Sequence, residues 1–229
     1  MSIFRTETLE CPVCATPLDF ELVVSVSADR RPDLRDAILD GSFQRLACPG
    51  CGTPVRAEPE FTYMDIGRGQ YIGVWPAARR DDWRTWAERS RTVFDDSLGR
   101  NAPPEAQGIG AKVEMRTVFG WPALVEKILA RAAGIDDRTL ELAKLAVMRT
   151  SKETPLPGAQ ELRLVAVEGD ALSLAWVGAD ADAAGAVIDV PRQLIADIEA
   201  EPAAWQHARE SVAEGDVVDF QRELLVAAA

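Results

Sequence analysis

Every cysteine of the chain falls in one of two copies of a tetrapeptide, Cys11-Pro12-Val13-Cys14 and Cys48-Pro49-Gly50-Cys51. Two Cys-x-x-Cys pairs brought to one point supply four thiolates, the ligand set of a tetrahedral structural zinc site. Each pair needs a tight turn that aims backbone amides at sulfur. Proline in second position fixes φ, and Gly50 and Gly52 permit the positive φ that such a turn demands. The first turn has Ala15 where the second has Gly52, a poorer fit. The 33 residues between the pairs are a long spacer, since about 15–20 is usual. A short helix inside it accounts for the excess. Closing the loop costs about 3 kcal/mol, well below the roughly 10–16 kcal/mol of structural zinc binding.

Thiol redox chemistry is the rival reading, because C-P-x-C also occurs in redox sites where the first cysteine opens a helix. Here Ala-Thr-Pro follows Cys14 and Gly-Thr-Pro follows Cys51, and neither continues as a helix. Two like pairs suit one shared site better than two redox centres. A set of four cysteines fills tetrahedral zinc and leaves no position for water, so the expected cofactor is one structural zinc on Cys11, Cys14, Cys48 and Cys51.

The net charge of −12 and pI near 4.6 disfavour nucleic acid as main partner, because lysine and arginine must neutralise phosphates there. Residues 1–76 alone carry 7 Lys+Arg against 11 Asp+Glu, a balance of −4. The start, Met1 to Thr6, shows no apolar run of signal-peptide length, and Ala171–Ala179 is too short to span a bilayer. A cytoplasmic protein without a membrane segment is expected, a compartment where disulfides are rare.

The pattern predicts an α+β protein: a rubredoxin-like or zinc-ribbon β module at 1–76 with an inserted short helix, then a mixed α+β body at 77–229. In the module, 20–27 reads as a strand, Pro32 to Asp40 as the helix, and 43–47 as a strand. Strands 61–66 and 70–75 flank the hairpin signal Gly67-Arg68-Gly69. Beyond Pro76 the period becomes helical: Trp83, Trp86, Ala87, Ser90, Val93 and Phe94 mark a helix over 79–98. Residues 101–110 read as a linker and 112–119 as a strand. Helices follow at 122–133 and 136–149, the second apolar on most sides. A small β unit over 160–229 has strands near 161–167, 171–177, 186–190 and 217–222, with helices 191–200 and 203–212.

These residues resemble a family. The paired CPxC turns, the Pro32-Asp33-Leu34 and Ile38-to-Gly41 stretch, Tyr63-x-Asp65, Val118-Phe119-Gly120, Glu126-Lys127-Ile128, and Gly134-to-Asp137 with Glu141 and Lys144 look like bacterial CpXC-domain proteins. The resemblance covers most of 8–150 and implies the metal site and the fold, with no reaction attached.

Other chemistry-bearing residues have plainer readings. Asp136 and Asp137 open a helix, where an acidic N-cap is favoured. Tyr63 and Asp65 share one strand face. Asp180 and Asp182 lack the glutamate that closes a calcium loop. His207, the one histidine, has no carboxylate or cysteine pattern around it. Arg79, Arg80, Arg84, Arg89 and Arg91 alternate with acids on a helix whose Trp83 and Trp86 face inward. The expected function is a non-enzymatic zinc protein that meets a protein partner. A nucleic-acid-binding zinc-ribbon regulator and a thiol redox sensor are the alternatives.

Overall fold

A computed structural model describes residues 1–150, 160–178 and 184–222. The expected connection at Asp180 and Asp182 lies outside the described residues.

The chain opens with an antiparallel hairpin of β1 (Ile3–Glu10) and β2 (Pro17–Ser27), in which Leu9 faces Leu18 and Glu10 faces Pro17. Alternation explains the first half of β2: Leu18, Phe20 and Leu22 are buried while Asp19 and Glu21 face solvent. Helix α1 (Pro32–Leu39) begins on proline, whose missing N–H costs nothing in the first turn. It buries Leu34 and Ile38, one turn apart. A small hairpin of β3 (Arg45–Ala47) and β4 (Pro54–Arg56) carries the second cysteine pair.

Strands β5 (Phe61–Asp65) and β6 (Gln70–Trp75) then form the predicted hairpin. Its turn ends on Gly69 at φ +67°, where a side chain would also crowd the Lys112 carbonyl oxygen. Helices α2 (Trp83–Ser97) and α3 (Pro104–Gly110) lead to β7 (Glu114–Phe119). The stretch read as a linker thus contains α3. Pro104 starts that helix, and Gly110 lies so close to the Leu98 carbonyl that a Cβ there would collide with it. Helices α4 (Trp121–Ala132) and α5 (Asp137–Thr150) follow.

The five-stranded sheet runs β1-β2-β5-β6-β7, with β2 parallel to β5 and β6 parallel to β7. Pro76 therefore falls between two strands that pair in this sheet: Trp75 at the end of β6 pairs with Phe119 on β7. Val26, Tyr63, Ile72 and Val118 from the sheet, Ile38 from α1 and Leu124 and Ile128 from α4 make one core. That core binds the segment before Pro76 to the segment after it.

A second core joins α5 to an antiparallel sheet of β8 (Glu161–Glu168), β9 (Ala171–Val177) and β10 (Ala184–Pro191). Helices α6 (Gln193–Ala200) and α7 (Pro202–Ser211) close it. The chain then turns back through β11 (Ala213–Glu214) and β12 (Val217–Val218). The strand expected to reach residue 222 stops at Val218, and Phe220–Arg222 forms a 3₁₀ turn. Among the described residues no helix is long and apolar enough to cross a membrane.

Candidate metal centre

The turn between β1 and β2 and the turn between β3 and β4 have one geometry. In the first, the Cys11 amide donates to the Thr16 carbonyl at 3.0 Å and the Ala15 amide to the Cys11 carbonyl at 2.9 Å. In the second, Cys48 donates to Thr53 at 2.9 Å and Gly52 to Cys48 at 2.8 Å. Ala15 and Gly52 both have positive φ, +56° and +74°. The two turns meet above a small apolar cluster of Leu18, Phe20, Leu22 and Ala57, which buries Cys11 and Cys48. Cys14 and Cys51 face solvent.

All four sulfurs lie within 4.8 Å of one another. Cys11 Sγ is 3.8 Å from Cys51 Sγ, and Cys14 Sγ is 3.5 Å from Cys48 Sγ. Four sulfurs at the corners of a tetrahedron, each about 2.3 Å from a central zinc, are about 3.8 Å apart. The spacing fits that set, and the four cysteines could hold a metal ion.

Amides and hydroxyls favour thiolates here. The Gly50 amide donates to Cys48 Sγ at 3.4 Å. Cys14 and Cys51 are held below the ordinary thiol range, first by the hydroxyls of Thr16 and Thr53 and then by those residues' amides. At Cys11 the Val13 amide acts to lower the pKa, but burial and the neighbouring sulfurs of Cys48 and Cys14 prevail and push it up to about 11. A cation that takes these sulfurs must displace their remaining protons.

The other singled-out residues serve structure. Asp136 caps α5 by accepting from the Thr139 amide at 2.9 Å. Asp137, expected as the dipole-favoured residue of the first turn, lies there and also turns inward to pair with Arg116 at 2.7 Å and Lys127 at 3.1 Å. The Tyr63 hydroxyl donates to Asp65 at 3.4 Å inside the core. His207 is exposed on α7. On α2, Trp83 is buried, Arg84 stacks over it at 4.3 Å, and Arg84 also pairs with Glu214 at 3.1 Å. That mixed face matches the expectation of a solvated exterior at Arg84, whereas Arg80, in the 3₁₀ turn before α2, turns inward to Glu161 and the Phe119 carbonyl.

Sequence reasoning missed a buried network of charges. Lys144 on α5 pairs with Glu126 on α4 at 3.0 Å and with Glu141 at 2.7 Å. Glu126 also takes Arg163 of β8 at 3.0 Å and accepts from the Leu164 amide at 2.8 Å. Arg163 reaches Asp219 at 2.7 Å, while Lys127 donates to the Val218 carbonyl at 2.8 Å. Glu141 accepts from the Phe220 amide at 3.1 Å. The available signal was Glu141 and Lys144 interrupting the apolar side of a helix at i,i+3 spacing. Burial, with the charges of Glu126 and Asp219, pushes Glu141 up to about 7 against the pull of Lys144 and Lys127. Despite burial, Lys127 and Arg116 hold the Asp137 carboxyl well below the usual range.

No curated protein matches the chain, and no solved structure does. A family model described as CpXC protein matches residues 9–144, more than half of the chain and all four cysteines, and the chain belongs to the CpXC family.

Proposed function

We propose that the protein binds one zinc ion through Cys11, Cys14, Cys48 and Cys51 and works as a non-enzymatic adaptor in the cytoplasm, offering its surface to a protein partner. The observation that carries the metal reading is the convergence of four sulfurs within 4.8 Å from two turns of like geometry. Bound zinc would supply a cross-link between the β1–β2 and β3–β4 hairpins, with four thiolates completing its coordination. The partner reading is supported by charge. A surface of net −12 repels polyanions and suits a protein with basic or mixed charge, which sets the nucleic-acid alternative second. Elemental analysis tests the metal: reduced, chelator-free protein carries one zinc per chain, and protein with none contradicts the reading.

Exposure of Cys14 and Cys51 favours one second reading, a thiol redox sensor. Hydrogen peroxide would take two electrons from a pair of thiolates, giving a disulfide and two hydroxide ions and releasing the metal. Zinc release that tracks thiol loss under mild peroxide supports it. A constant thiol count under the same treatment overturns it.

A further inference from the structure

The two metal turns are alike beyond the four residues that carry sulfur. Both run Cys-Pro-x-Cys-x-Thr-Pro, from Cys11 to Pro17 and from Cys48 to Pro54. In each, the threonine hydroxyl lies beside the second, solvent-facing sulfur: Thr16 Oγ1 is 3.2 Å from Cys14 Sγ and Thr53 Oγ1 is 3.3 Å from Cys51 Sγ. Both threonines are half-buried, whereas the sulfurs they reach are exposed. As neutral thiols Cys14 and Cys51 donate to these hydroxyls; a metal-bound thiolate offers no hydrogen, so the contact then runs from hydroxyl to sulfur.

Gly50 supplies an independent observation. Its backbone lies outside the left-handed region, so φ does not demand glycine. A Cβ at this position would collide with Thr16 Oγ1, sit 3.1 Å from Thr16 Cβ and lie 3.4 Å from Cys14 Sγ. The space glycine leaves is the space the Thr16 hydroxyl needs. The equivalent residue of the first turn, Val13, carries a full side chain and is 66% exposed.

We infer that Thr16 and Thr53 are positioning residues of the metal centre: their hydroxyls donate to the Cys14 and Cys51 thiolates and hold the two solvent-facing ligands on the ion, and Gly50 keeps room for Thr16. This rests on the zinc reading above. The buried sulfurs of Cys11 and Cys48 are shielded by the apolar cluster beneath them. The exposed pair has water on one side, and metal leaves first through ligands that water can reach. Removing an outer hydrogen-bond partner of a metal ligand typically weakens affinity about 10–100-fold.

The test uses the full chain loaded with zinc. A double variant, Thr16→Val with Thr53→Val, removes both hydroxyls at nearly constant shape, and Thr16→Ser with Thr53→Ser restores them. Two readouts are taken: the rate of zinc transfer to a chromogenic chelator, and the thiolate-to-metal charge-transfer band of the cobalt(II)-substituted protein. The valine variant should still take up one metal, release zinc about tenfold faster, and shift the band to lower energy as the sulfur lone pairs lose their donors. The serine variant should return both values to wild type. Gly50→Ala should reproduce part of the shift, and Val13→Ala should not. Should the double variant fail to fold, Thr53→Val alone carries the same expectation. Wild-type release and an unmoved band in the valine variant would overturn the inference and leave the zinc reading intact. A wild-type protein that takes up no metal would remove both.

Discussion

Ala15 occupies a backbone position at φ +56°, where the second cysteine turn has Gly52 at φ +74°. A Cβ in the left-handed region meets the following carbonyl, at a cost of about 1–2 kcal/mol. Glycine returns part of that gain through its larger entropy in the unfolded chain. Ala15→Gly should therefore raise the unfolding free energy of the metal-loaded protein by up to about 1 kcal/mol in urea titration. A loss of stability would show that the Ala15 methyl makes a contact that outweighs the strain. This residue was legible beforehand, because the comparison needs only two aligned turns. Asp136 was legible for the same reason, since its cap lies three residues away. Asp137 was not: its partners Arg116 and Lys127 come from β7 and α4, and only the tertiary fold brings them within reach.

Helices α4 and α5 face each other through charges as well as apolar side chains. Lys144 and Glu126 are fully buried, as is Glu141. The apolar pattern of both helices was readable, but not the charges set within it. Periodicity finds the face that turns inward; it does not say that a charge on that face has a partner on another strand. Such a network is costly to desolvate and costly to break. Glu141 makes this measurable. Its folded pKa of about 7 lies above that of an unfolded glutamate, near 4.3. Below the unfolded value both states hold the proton and the contribution is fully present. As pH rises toward 7 the unfolded chain releases the proton while the folded chain keeps it, so stability falls. Glu141→Gln lacks this titration. The unfolding free energy of the variant minus that of wild type should therefore climb from pH 5 to pH 8 in denaturant series. A difference that stays flat, or falls, contradicts this assignment.

Across the whole molecule, the cysteine-turn hairpins were legible and the way the parts join was not. The cysteine spacing led to two turns and an intervening helix, and α1 is there. The strand expected at 112–119 is there as β7, but its residues carry no local sign that they pair with β6 across α2 and α3. The C-terminal segment behaves likewise. Val218 and Phe220 supply partners to Lys127 and Glu141 in the region matched by the family, and Asp219 pairs with Arg163, which itself takes Glu126 of that region. A chain ended at Thr150 loses these partners together with Arg163. Each broken buried pair costs about 3–5 kcal/mol, against a typical total stability of about 5–15 kcal/mol. Such a chain should lose cooperative unfolding in calorimetry, and one that unfolds at the full-length midpoint contradicts this dependence. The claim under which all else is arranged concerns the ion itself. X-ray absorption at the zinc edge of reduced, chelator-free protein tests it most directly. One zinc per chain with four sulfur neighbours at about 2.3 Å is the predicted result; a shell of nitrogen and oxygen, or no zinc signal, would contradict it.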